Sequence, residues 1–256
     1  MGGDCMNGKV AFKRPDSLTA KEFTYCPGCL HGVAHRLVAE VLDELKLTGQ
    51  TIMVAPVGCS VFAYEFFDVD GTVAPHGRAT AVATGIKRSL PDRVVFTYQG
   101  DGDLAAIGTA ETIHTANRGE KITTIFINNA IYGMTGGQMA PTSLVGMKTT
   151  TSPYGRNADS EGYPIHVCEL LQNLNGVAYL ERVSLLTPKD IIAAKKGIKK
   201  AFTAQARGLG YSLIEIVSTC PTNWGLSPVE SLEWAKQKML PEFPLKVFID
   251  KVGDVK

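Results

Sequence analysis

Nowhere in these 256 residues does an uncharged apolar run reach the roughly 18 positions that a membrane-spanning helix needs. The opening stretch, MGGDCMNGKVAFKRPDSL, lacks the apolar centre of a secretory signal. Charge of one sign is missing too. Basic residues number 26 against 25 acidic ones, the formal net charge is +1, and the densest basic patch is Lys195, Lys196, Lys199 and Lys200. That balance argues against nucleic acid as a partner, and the three absences together predict a cytoplasmic protein with no membrane contact. Internal repeats, low-complexity tracts, a P-loop and a G-x-G-x-x-G turn are all absent. Cysteine is sparse: six in a chain of this length, without a secretory signal, point away from a disulfide framework and towards metal, cluster or redox chemistry.

What is present is a βα rhythm. Five β-branched or aromatic runs, Thr51–Ala55, Arg93–Tyr98, Ile122–Ile127, Ala178–Val183 and Ser212–Val217, read as strands. Val33–Leu45, Ala79–Leu90, Leu104–Asn117 and Pro188–Ala206 carry apolar residues at three- and four-residue spacing, as helices covering a sheet do. The prediction is an α/β fold with a doubly wound, mostly parallel sheet over residues 25–240, flanked by arms at 1–24 and 241–256. Ligands of such sheets sit beyond the carboxyl ends of the strands. The segments that follow the strands, VGCS, QGDGD, NNAIYGMTGG and STCPTNWG, are therefore the candidate site. Between residues 133 and 164 the chain is rich in Gly, Thr, Ser and Pro with little periodicity, and is expected to become ordered against a partner and a cofactor.

Gly100-Asp101-Gly102-Asp103 follows one strand, and Asn128-Asn129-Ala130-Ile131 follows the next. Two neighbouring parallel strands would bring an aspartate and an asparagine, 28 residues apart, to one edge. Mg²⁺ takes oxygen ligands in octahedral geometry and combines protein oxygens with phosphates. Asp101 offers a carboxylate, Asn129 an amide oxygen and Ile131 a backbone carbonyl, while Gly102 admits a phosphate close to the backbone at a helix start. Either turn alone is common, as a tight turn or a helix cap. Together they resemble the thiamine diphosphate fingerprint.

Cys26 and Cys29 form a C-x-x-C, a spacing shared by zinc, iron–sulfur and redox sites. Cys59 and Cys220 follow predicted strands on the same edge, so that four thiolates have one place to meet. Cys168 reads as a buried core thiol and Cys5 as incidental. His31 either contacts a ligand or bonds to a backbone carbonyl. His76 either contacts a ligand or caps a helix. Arg78 binds a diphosphate or carboxylate, or pairs at the surface.

CPGCLHG, GCS, HGRATAVATG, GDGDLAAIGTAE, INNAIYGMTGGQMAPT and STCPTNWG, in that order, resemble the β subunit of archaeal and bacterial 2-oxoacid:ferredoxin oxidoreductases. The resemblance covers nearly the whole chain. It implies thiamine diphosphate and Mg²⁺, and a [4Fe–4S] cluster held by Cys26, Cys29, Cys59 and Cys220. It places Val57, Gly58, Cys59, Ser60, His76, Gly77, Gly100, Gly102, Asp103, Gly133, Met134 and Thr135 against the cofactor. The implied reaction is coenzyme A-dependent oxidative decarboxylation of a 2-oxoacid, with electrons leaving singly through the cluster. The partners implied are an α-type subunit, a γ subunit and a ferredoxin-like subunit. A pyrimidine-activating glutamate belongs to a separate domain in such enzymes; Glu65 and Glu111 are the nearest acids here, and Glu111 is expected to pair at the surface. Phe62, Phe66 and Met134 favour a branched-chain substrate such as 2-oxoisovalerate if they face the pocket. The alternatives are 2-oxoglutarate as the substrate, a non-redox thiamine diphosphate decarboxylase or carboligase, and a zinc-stabilised interaction module.

Overall fold

Strands buried along their whole length need cover on both faces, which parallel βαβ units provide. The computed structural model describes residues 13–254. Its main sheet comprises β1 (Thr51–Ala55), β2 (Asp70–Val73), β3 (Val94–Gly100), β4 (Thr123–Asn128), β7 (Val177–Ser184), β8 (Tyr211–Val217) and β9 (Lys246–Asp250), with β5 (Ile131–Tyr132) and β6 (Gln138–Met139) forming a small separate hairpin. The order is β2-β1-β3-β4-β8-β7-β9, parallel throughout except for β9, which runs antiparallel to β7. β4 and β8 are buried at every position.

The helices His31–Glu44 and Pro188–Ala206 pack Leu37, Val41, Ile198 and Phe202 on one face. Ala79–Ser89, Thr109–Asn117 and the short helix Val167–Leu171 close the other face with Ala83, Ala116, Val167 and Leu171. From β1 the chain passes outward to β2, whereas from β3 it passes the other way to β4. The switch point thus lies between β1 and β3, where a doubly wound sheet opens a crevice at its carboxyl edge.

Three expectations need revision. The helix anticipated over Leu104–Asn117 is a π-helical turn, Gly102–Ile107, then Gly108 and an α-helix from Thr109; the Gly108 N–H reaches the Asp103 carbonyl at 2.8 Å. Lys246–Asp250, assigned to a terminal arm, is an edge strand. Part of the N-terminal arm is docked: Asp43 accepts from the Ser17 N–H (3.0 Å) and hydroxyl (2.5 Å), and Leu18 bridges to Phe67. Residues 1–12, Cys5 among them, lie outside the described residues. The 133–164 segment has a hydrogen-bonding centre of its own. The buried Arg156 guanidinium donates to the carbonyls of Pro141 (3.0 Å), Ser143 (2.5 Å), Gly162 (2.9 Å) and Tyr163 (2.8 Å), replacing an apolar core with one cationic hub. Among the described residues no helix is long and apolar enough to cross a membrane.

Candidate cofactor site at the sheet switch point

A cavity opens at the carboxyl ends of β1, β3 and β4. His31, Val57, Gly58, Cys59, Ser60, His76, Gly100, Asp101, Gly102, Asp103, Asn129, Ile131, Gly133, Met134 and Thr135 all line it, joined by Ile127 and Tyr132. Asp101 sits at its floor. The carboxylate accepts from the N–H groups of Gly102 (2.8 Å) and Ile131 (3.2 Å) and from the Thr142 hydroxyl (2.7 Å). Burial nevertheless pushes its pKa up to about 6, so at neutral pH an ionised, desolvated carboxylate faces the cavity. Such a carboxylate suits a cation.

Asn129 and Ile131 reach that floor because the chain reverses at Ala130, which takes a left-handed φ of 57° that a side chain disfavours. The Asn128 Oδ1 accepts the Ala130 N–H at 3.2 Å, and the Ser143 hydroxyl donates to the Ala130 carbonyl at 2.5 Å. The Ser60 hydroxyl is buried on the cavity wall without a hydrogen-bond partner among the described residues. An unpaired polar group there fits a polar ligand. Gly102 is dictated by contact: a Cβ would lie 2.1 Å from Cε1 of Tyr132. We expect Gly102→Ala to push Tyr132, and with it the adjoining Ile131 carbonyl, at a cost of about 1–3 kcal/mol. Cofactor retained after gel filtration should fall in this variant and recover partly in Gly102→Ala/Tyr132→Ala; unchanged retention in the single variant refutes the contact argument.

Asp103 orients a histidine. Its Oδ1 accepts from His76 Nδ1 and the Gly77 N–H, each at 2.6 Å, and its Oδ2 from the Gln99 amide at 2.6 Å. The other ring nitrogen of His76, Nε2, is left for a ligand. His31 bonds through Nδ1 to the Tyr98 hydroxyl (2.9 Å) and stacks on Tyr25 at 4.8 Å. Burial lowers its pKa to about 4, so it stands neutral on the wall. Arg78 and Gly77 do not line the cavity. Arg78 pairs with Glu111 and donates to the Ile107 carbonyl (3.2 Å), while Gly77 packs against Ile107. Glu65 is engaged by Lys21 at 2.5 Å. Among the described residues, the acids on the cavity wall are Asp101 and Asp103. The apolar pocket anticipated from Phe62, Phe66 and Met134 is only partly formed. Met134 lines the cavity, but Phe62 packs against Tyr25, and the buried Phe66 packs among Phe23, Tyr25 and His35.

The cysteines gather beside the cavity. A Cβ on Gly133 would lie 3.2 Å from the Cys59 sulfur and 3.7 Å from that of Cys220. Burial pushes Cys29 up to about 12 and Cys59 up to about 11, and Cys220 up as well; Cys220, Cys59 and Cys26 each push Cys29 further up. Thiols so placed ionise only with a compensating metal. Among the described residues no three His, Cys, Asp or Glu side chains enclose a single ion. Cys168 is fully buried, in the opposite-face core. Sequence reasoning overlooked Asn223, whose amide donates to the Gly133 carbonyl (2.7 Å) and the Cys220 sulfur (3.3 Å), as well as Tyr132 and Thr142. Asn223 and Tyr132 stand in quoted motifs and were discoverable there. Thr142 ends the quoted INNAIYGMTGGQMAPT motif, and the fold brings its hydroxyl to Asp101.

A doubly wound sheet with a buried aspartate, an Asn–Asn turn and a glycine-lined crevice at the switch point defines a diphosphate-cofactor domain. Residues 49–216 match the thiamine pyrophosphate enzyme C-terminal TPP binding domain. Ketoisovalerate oxidoreductase subunit VorA of Methanothermobacter thermautotrophicus is 48% identical over 96% of this chain and 54% of its own length. The 2-oxoglutarate synthase subunit KorB of Methanocaldococcus jannaschii is 34% identical over 92% of this chain and 84% of its own. A solved 2-oxoglutarate:ferredoxin oxidoreductase from Magnetococcus marinus, with 2-oxoglutarate, coenzyme A and succinyl-CoA bound, superposes with a TM-score of 0.75 at 28% identity, over 90% of this chain and 75% of that one. This chain belongs to the thiamine diphosphate-binding β-subunit family of 2-oxoacid:ferredoxin oxidoreductases. It spans about half the length of VorA.

Proposed function

We propose that this chain is the cofactor-binding subunit of an enzyme that decarboxylates a 2-oxoacid oxidatively, transfers the acyl group to coenzyme A and passes electrons to ferredoxin. The observation that carries the reading is the shared edge: a buried, ionised Asp101 faces a glycine-lined cavity while Cys59, whose neighbours line the same wall, borders a group of cysteines. Asp101, the Asn129 amide and the Ile131 carbonyl would hold Mg²⁺, and the glycine turn Gly100–Gly102 at the start of the π-turn would receive a diphosphate. Cys26, Cys29, Cys59 and Cys220 would hold a [4Fe–4S] cluster. Thiamine diphosphate supplies carbanion chemistry, and the cluster supplies one-electron acceptance. The chain's own contributions are positional. His76, held through Nδ1 by Asp103 on the cavity wall, would offer its Nε2 to the ligand. His31, kept neutral, offers a hydrogen bond without a charge.

The wall's acids are both committed to other tasks, so a partner must supply the glutamate that engages the cofactor's aminopyrimidine. An α-type subunit, with γ and ferredoxin-like subunits, completes the enzyme. Branched-chain 2-oxoacids such as 2-oxoisovalerate are the favoured substrates, supported by Met134 on the wall and by the 48% identity to VorA. The test is anaerobic purification with and without the co-expressed partner subunits. The chain should be brown and carry iron, sulfide and thiamine diphosphate, and should reduce a viologen dye only with its partners, with higher kcat/KM for 2-oxoisovalerate than for 2-oxoglutarate. Full activity of the isolated chain overturns the subunit assignment, zinc in place of iron overturns the redox assignment, and a preference for 2-oxoglutarate overturns the substrate assignment.

A further inference from the structure

Behind the cofactor turn, three fully buried polar side chains lie across three neighbouring strands. Asn128 ends β4, Glu215 lies in β8 and Arg182 in β7, with Glu215 directly opposite Arg182 in register. The Asn128 amide donates to Glu215 Oε1 at 2.8 Å, and Arg182 Nε lies 2.9 Å from Glu215 Oε2. On its far side Arg182 grips Glu169 with both terminal nitrogens (2.9 and 2.5 Å) and lies over the rings of Phe243 and Phe248 at 5.5 and 5.3 Å.

A requirement for stability alone does not account for this arrangement. Replacing a buried ion pair with apolar side chains of similar volume is often neutral or stabilising. Hydrogen-bond polarity offers the better explanation. An ionised carboxylate only accepts, so Asn128 must turn its NH₂ to Glu215 and its oxygen the other way. That oxygen is the acceptor of the Ala130 N–H, the bond that holds the left-handed reversal between Asn129 and Ile131. A flipped amide would set NH₂ against N–H and release the turn.

We propose that Glu215, anchored by Arg182, is a positioning residue for the cofactor site: it fixes the Asn128 amide and thereby the placement of Asn129 and Ile131 against Asp101. The inference rests on the reading of that site as the one for Mg²⁺ and thiamine diphosphate. Glu215→Gln keeps the volume but places an NH₂ against either Asn128 or Arg182, both of them donors. Asn128→Ala leaves the Glu215–Arg182 pair intact and removes only the link.

The experiment measures the Kd of thiamine diphosphate at saturating Mg²⁺, by calorimetry on the full chain co-purified with its partner subunits, together with Tm and iron content. The proteins are wild type, N128A, E215Q and the double variant. Each single change should weaken binding about 10-fold, the loss typical of groups that orient metal ligands. The double variant should be no weaker than N128A, because both changes cut one link. Iron content should stay at the wild-type level. Wild-type affinity in E215Q, or losses that add in the double variant, overturns the proposal. If E215Q does not fold, N128A decides alone, and wild-type affinity there overturns it equally. Absence of binding by the wild type would refute the cofactor reading itself, a separate outcome.

Discussion

Asp101→Ala should abolish thiamine diphosphate binding at micromolar cofactor, a loss of more than about 100-fold, since even groups that merely orient a metal ligand are worth 10- to 100-fold. The argument is electrostatic. Asp101 is held among three donors yet has its pKa pushed up to about 6 by burial, so the protein spends stability to keep a charge on the cavity floor. The sign follows from linkage. A carboxyl with a folded pKa above its unfolded value of about 4 destabilises the fold above pH 6, and the penalty fades as pH falls from about 6 to about 4. Relative to Asp101→Asn, metal-free wild type should therefore gain thermal stability as pH falls over that window, by at most about 3 kcal/mol. Asp101→Asn should lose that pH dependence along with its cofactor. Calorimetric titration of the cofactor and thermal melts between pH 4 and 8 measure both. Normal cofactor affinity in either variant would remove Asp101 from the site.

Serine at Cys26, Cys29, Cys59 or Cys220 should each strip most of the iron and sulfide, whereas Cys168→Ser should leave them unchanged. A hydroxyl is a poor ligand for iron, and these four thiols influence one another electrostatically, with the Cys59 and Cys220 sulfurs both beside Gly133. Cys168 lies on the opposite face of the sheet, its thiol pushed well above the usual range by burial, with Glu215 adding to the effect. Iron and sulfide analysis of anaerobically purified variants decides it. Iron lost with Cys168 and kept without Cys220 would sink the ligand set. Cys59→Ser should also weaken cofactor binding, since Gly58 and Ser60 line the cavity on either side of it.

Much of this was legible in the sequence because it is local. β1, β3, β4, β7 and β8 are apolar runs buried along their lengths, and a run of that kind declares itself wherever it lands. VGCS, QGDGD and the start of NNAIYGMTGG meet at one cavity because a parallel sheet delivers the ends of neighbouring strands to one edge. β2 escaped notice since all four of its residues are exposed and only its backbone belongs to the sheet. β9 escaped for a related reason: it covers the free edge of β7 with a partly exposed face, and no apolar run marks it. Phe66 was misjudged because a single turn of helix, Ala63–Phe66, rotates it into the aromatic cluster around Tyr25 and His35.

The sequence alone determined the strand-end chemistry, namely that Asp101, Asn129, Cys59 and Cys220 follow their strands within a few positions. Only the tertiary structure decided how they are aimed. The Ala130 reversal, the clamp of Asp103 on His76, the diversion of Arg78 to Glu111 and the support of Asn128 by a glutamate 87 residues away all depend on side chains from different strands and helices meeting. Hydrogen-bond direction and burial belong to such meetings, and neither is written in any one segment of the chain.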